Sequence, residues 1–94
     1  MNERSEVKEI LRSELPVLRA KIGISQEVIA EKIGISRQTY SSIETGKREM
    51  TWTTALALVA FFRHNQKTKP MIDRIEGLSS GLSQIMSISD DESR

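Results

Sequence analysis

Between residues 25 and 51, helix-starting and helix-ending residues alternate at short intervals, and they leave the chain little choice of architecture. Ser25, Ser36 and Thr51 each precede a helically periodic segment, and each side chain can accept a hydrogen bond from a first-turn amide. Gly34 and Gly46 each follow such a segment, where a left-handed residue closes a helix at least cost. Glu27 falls in the first turn after Ser25, favourable against the positive end of the helix dipole. The punctuation predicts two short helices meeting at a tight turn, then a third from Thr51 to about Arg63.

Hydrophobic spacing outside this stretch is also helical. Val7, Ile10, Leu11, Leu15, Leu18 and Ile22 recur at intervals of three and four, but Pro16 interrupts them. Proline removes an amide donor and is best tolerated in a first turn. The reading is therefore a short helix over 5–12, then a kink or restart with Ser13 as its cap, ending before Gly23. Further on, Met71, Ile75, Leu78, Leu82 and Ile85 step by four and three like a heptad seam. Gly77 and Gly81 each weaken a helix interior by about 1 kcal/mol. A helix over 70–77 is expected, with its continuation to Met86 left open. No segment alternates with period two. The fold class is thus all-α: four to five helices in a compact domain, a short C-terminal helix and a disordered acidic tail. The expected divisions are an N-terminal helical extension over 1–12, a main domain over 13–66, a C-terminal helix or dimerisation segment over 67–86, and the tail over 87–94.

Composition removes several function classes. The 94 residues contain no cysteine and a single histidine, His64, so thiolate and His-rich metal sites are excluded and no cofactor is expected. The longest apolar run, over 55–62, is far too short to span a bilayer. No apolar leader opens the chain, which predicts a cytoplasmic protein. Net charge is only +1, yet residues 36–69 hold six basic side chains against two acids, and residues 70–94 hold two against five. A basic middle and an acidic end fit a domain that faces a polyanion.

Within the paired short helices the residue types divide cleanly. Ile29 and Ile33 lie one turn apart and face the core, Ala30 lets the second helix approach, and Ile35 plugs the turn. Tyr40 and Ile43 anchor the second helix, with the Tyr40 hydroxyl expected near the surface. Arg37, Gln38, Thr39, Ser41 and Ser42 remain outward. A helix held by one narrow stripe and exposing short hydrogen-bonding side chains at its N-terminal end suits a nucleic-acid groove. In the bland alternative, Arg37 is a surface arginine paired with Glu31 or Glu44.

The run LRAKIGISQEVIAEKIGISRQTYSSIETGKR resembles the lambda-repressor and Cro type of helix-turn-helix, the xenobiotic-response-element (XRE) family, over roughly residues 15–62. That resemblance implies a DNA-binding regulator, most simply a repressor, with double-stranded DNA as partner. It implies base contacts from Arg37, Gln38 and Ser42. It implies backbone or groove contacts from Gln26, Ser36, Thr39, Ser41, Thr45, Lys47 and Arg48, and a structural salt bridge between Arg19 and Glu44. Trp52, Ala55, Leu58, Val59 and Phe62 match the inner face of the family's fourth helix. The sequence departs from the family's pattern at Ser41 and Ser42, where longer amides are frequent, and at Thr45, Tyr40 and Met50.

Two further sequence features bear on function. Residues 77–81 match G-x-S-x-G, but that nucleophile elbow needs a preceding strand and a distant His and carboxylate, so Ser79 is not read as catalytic and no enzyme activity is expected. Residues 55–62 are apolar all round, which leaves Leu56 and Phe61 to be covered by the 70–77 helix or by a second subunit. A homodimer through Leu56, Phe61 and the Met71 to Leu82 segment would supply two half-sites. The competing function is a DNA-binding antitoxin whose C-terminal segment binds a protein partner.

Overall fold

A computed structural model describes residues 3–89. Six helices follow in order: α1 (Glu3–Ile22), α2 (Gln26–Ile33), α3 (Arg37–Glu44), α4 (Trp52–His64), α5 (Lys69–Arg74) and α6 (Leu78–Met86). There is no strand among the described residues.

The central punctuation has a direct local cause. Ser25 Oγ accepts from the Val28 amide, Ser36 Oγ from Thr39 and Thr51 Oγ1 from Thr54, at 3.0 to 3.1 Å. Gly34 sits at φ 84°. Its amide and that of Ile35 both reach the Ala30 carbonyl, so the turn satisfies the free carbonyls at the end of α2. Any residue with a Cβ would be strained at that φ.

The restart expected at Ser13 does not occur: α1 runs unbroken from Glu3 to Ile22 with Pro16 inside it. Ser13 turns back into the helix, its Oγ donating to the Ile10 carbonyl at 2.7 Å. An interior proline costs about 3 kcal/mol. Against it stand Val7, Leu11, Leu15 and Leu18, all at 0–1% exposure on one stripe, each worth about 1.5–3 kcal/mol when buried. A break would take half that stripe out of register with the core. Pro16 itself is exposed, so water can serve the carbonyl it leaves without an amide. The division expected at residue 12 therefore lies within one helix.

The C-terminal seam is likewise not one helix. The chain turns between Ile75 and Leu78, so α5 and α6 are separate, and α6 lies back along α1. Ile72 and Leu78 are fully buried in the single core. Leu78 is thus unavailable to a partner subunit, whereas Met71, Ile75, Leu82 and Ile85 are half-buried. Gly81 makes the α1 contact possible: a Cβ there would stand 2.7 Å from Val7 Cγ2. At the start of α5, fully buried Thr68 donates its hydroxyl to the Phe62 carbonyl at 2.6 Å, tying α5 to the end of α4. Of the tail expected over 87–94, residues 87–89 are irregular and the remainder lies outside the described residues.

Candidate nucleic-acid interface

α3 is held from beneath by Tyr40 at 0% and Ile43 at 2% exposure. Ala30, at 1%, supplies the small surface of α2 on which it rests. With those positions consumed, Arg37 and Gln38 are exposed at the start of α3, and Thr39, Ser41 and Ser42 are half-exposed. Arg37, Gln38 and Ser41 line one shallow, open concavity. Arg37 joins no ion pair among the described residues, and Glu44 is occupied elsewhere.

That occupation sets the geometry of the interface. Arg19, near the end of α1, donates Nε and Nη2 to both Glu44 carboxylate oxygens at 2.9 and 2.7 Å, and Nη1 to the Ile24 carbonyl at 3.0 Å. A bidentate fork fixes orientation as well as distance, so α1, the start of the α2 region and the end of α3 are locked together. Burial opposes the charge on Glu44, but the two hydrogen bonds from Arg19, with the polar groups of Tyr40 and Gln26 nearby, outweigh it and hold the carboxyl below its usual range. Gln26 is half-buried at the start of α2.

The Tyr40 hydroxyl corrects a sequence-based expectation. It is not near the surface; it is buried and has no hydrogen-bond partner at bonding geometry. Burial, with the neighbouring Glu44 carboxylate adding to it, pushes the phenol pKa well up. The ring's length carries the hydroxyl through the core toward the Arg19–Glu44 pair, a destination that spacing along α3 does not reveal.

The remaining positions sit around this frame. Ser36 and Thr39 cap α3 as a pair, Ser36 Oγ donating to Thr39 Oγ1 at 2.9 Å. Thr45 closes the helix, its hydroxyl bonded to the Ser41 carbonyl at 2.9 Å. The amides of Lys47 and Arg48 both donate to the Ser42 carbonyl, at 2.9 and 3.1 Å, so the basic loop is pinned to the C-terminal end of α3. Both side chains are exposed and neither enters an ion pair among the described residues. α3, its cap and this loop thus present one polar and cationic edge.

The comparisons with known proteins fall on the same stretch. A family model described as helix-turn-helix matches residues 18–63. An uncharacterized HTH-type transcriptional regulator of Methanocaldococcus jannaschii is 36% identical over 52 residues, covering 55% of this chain and 79% of the relative. The chain belongs to the XRE-type helix-turn-helix family. Membership places it among DNA-binding transcriptional regulators. No solved structure gives a significant match. In family terms α2 and α3 are the paired helices, and α5, α6 and most of α1 lie outside the matched region.

Several contributors escaped sequence reasoning. Met50, at 3% exposure, is core, although its position on a polar loop carries no periodic signal. Trp52 is only half-buried, with the Arg4 guanidinium 5.3 Å from its ring. Lys8 Nζ meets Glu49 Oε1 at 2.7 Å. These contacts join the first turns of α1 to the loop beyond α3 and the start of α4, a pairing that no local pattern encodes. The G-x-S-x-G residue Ser79 is exposed in the first turn of α6, which follows α5 and not a strand.

Proposed function

We propose that the protein regulates transcription by laying α3 in the DNA major groove, with Arg37, Gln38 and Ser42 reading base edges. The observation that carries this reading is the division of α3 itself: Tyr40 and Ile43 are fully consumed by the core, while Arg37 and Gln38 are exposed at its N-terminal end and unpaired among the described residues. An arginine can bind guanine O6 and N7 bidentately, and a glutamine adenine N6 and N7. Gln26, Ser36, Thr39, Ser41, Thr45, Lys47 and Arg48 take backbone and groove-wall contacts, which position the domain without reading sequence. The protein acts as a repressor by covering its site. It binds as a homodimer through the half-exposed Leu56, Phe61 and Met71, because inverted half-sites lie about 34 Å apart and one domain reaches only one of them.

Selection of bound sites from random duplex DNA at near-physiological salt tests this reading, and an enriched inverted repeat is the expected result. On that site Arg37→Ala should cost about 1–3 kcal/mol and relax preference at one base pair. Lys47→Ala should weaken all sequences alike and flatten the salt dependence. If Arg37→Ala weakened every duplex equally, the base-reading role would be lost. Sedimentation showing only monomer, with and without DNA, would remove the dimer.

A further inference from the structure

The first half of α1 carries Arg4, Lys8 and Arg12 at intervals of four, which places them in a row on one helical face. All three meet the segment that follows α3. Arg4 stacks over Trp52, Lys8 pairs with Glu49, and Arg12 lies across Gly46, its Nη1 3.7 Å from where a Cβ would stand. Arg12 shares an open cleft with Thr45, Arg48 and Lys8. That cleft adjoins Lys47, yet the row lies wholly outside the stretch matched by the family model.

We propose that Arg12 is an additional phosphate-binding residue, which with Arg48 takes one DNA backbone phosphate in the cleft between α1 and the loop after α3. The inference rests on the DNA-binding reading above and extends its footprint onto α1. Two acids share the cleft, but its balance is still positive: Lys8, Arg12 and Arg48 stand against Glu9 and Glu49. Glu9 pairs with the Arg12 guanidinium and Glu49 with Lys8, and both carboxylates are on the solvent side, at 67% and 73% side-chain exposure. Exposed pairs of this kind contribute little and are screened, so Glu9 serves as a placeholder that keeps the guanidinium oriented until a phosphate replaces it. A Cβ at position 46 would stand at ordinary van der Waals distance from that guanidinium, so glycine is required there by its φ of 82° and not by space. Buried Met50 anchors the loop to the core beside α1, and so keeps Arg12 and Arg48 lining the same cleft.

The test is a salt series of binding constants for the full chain on a selected duplex and a scrambled one. Arg12→Gln should weaken both duplexes about three- to tenfold and reduce the slope of log K against log salt by about 0.9, the value for one phosphate. Glu9→Gln should do the reverse and tighten both, because it frees the guanidinium. Arg12→Lys should retain the wild-type slope, which controls for folding. An unchanged slope in Arg12→Gln, while Arg37→Ala still loses base preference, would overturn this inference alone. Glu9→Gln weakening binding in step with Arg12→Gln would also overturn it, since the pair would then matter only as a brace. Wild-type binding that ignored salt would overturn both this inference and the DNA-binding reading.

Discussion

Gly34 and Gly81 are the same residue type in two regions of the molecule, and they are needed for opposite reasons. At the turn between α2 and α3, Gly34 has φ 84° and open space where a Cβ would go. Its requirement is conformational. In the layer of α1 and α6, Gly81 is an ordinary helical residue, but a Cβ there would collide with Val7 at 2.7 Å. Its requirement is volume. The turn between the paired helices is therefore specified by neighbours along the chain. The flanking layer is specified by a side chain at the far end of it, and the two regions should fail differently when altered.

The largest expected effect tests whether the flank is part of the fold at all. Leu78 is fully buried, so Leu78→Ala should destabilise by about 2–5 kcal/mol through lost transfer energy and a cavity. Calorimetry should show one transition at lower temperature. An unchanged transition would mean that α6 is an appendage and that the comparison above is misplaced.

The paired helices have their own tertiary lock in the Arg19–Glu44 fork. Glu44→Gln should cost about 1–3 kcal/mol at neutral pH, because the guanidinium loses its charged acceptor in a partly buried site. The sign with pH follows from the lowered carboxyl pKa of Glu44. Its contribution is fully present above the ordinary value of 4.5 and is lost as pH falls through the lower folded value. Denaturant titrations from pH 7 down to pH 3 should therefore show the wild type losing its advantage over Glu44→Gln below about 4.5. A constant difference across that range would sink the ion-pair account.

The smallest effects sharpen the contrast between the two glycines. Gly34→Ala should cost about 1–2 kcal/mol from the left-handed backbone alone. Gly81→Ala should cost about 1 kcal/mol, an overpacking penalty of about 1–3 kcal/mol reduced by the helix propensity that alanine gains. In a Val7→Ala background the Gly81→Ala penalty should vanish while the Gly34→Ala penalty stays. Measured by a double-mutant cycle, coupling of Val7 to Gly34 rather than to Gly81 would reverse the assignment.

Much of the central region was legible because its determinants are short-range. The caps at Ser25, Ser36 and Thr51 and the left-handed Gly34 are set by bonds spanning three or four residues. The outward polar set on α3 follows from helical geometry once Tyr40 and Ile43 are assigned to the core. Pro16 shows where such local rules yield: its cost of about 3 kcal/mol is real, but a continuous buried stripe from Val7 to Leu18 outweighs it. Gly77 does interrupt the helix as its propensity suggests, in a left-handed turn between α5 and α6, whereas Gly81 sits inside α6, because propensity counts what glycine lacks and not what packs against the gap.

By itself, then, the amino-acid order determined that the chain is helical, where the two short helices begin and end, and which polar side chains α3 presents. Each of those properties depends on hydrogen bonds and periodicities that close within a turn or two. Only the tertiary structure decided that α1 continues through Pro16, that α6 returns to cover Val7, and that the Tyr40 hydroxyl ends in the core beside Glu44. It also brought Arg4, Lys8 and Arg12 against the loop after α3. Those outcomes come from burial and charge pairing between segments distant in sequence, whose free energy exists only once the whole core has closed.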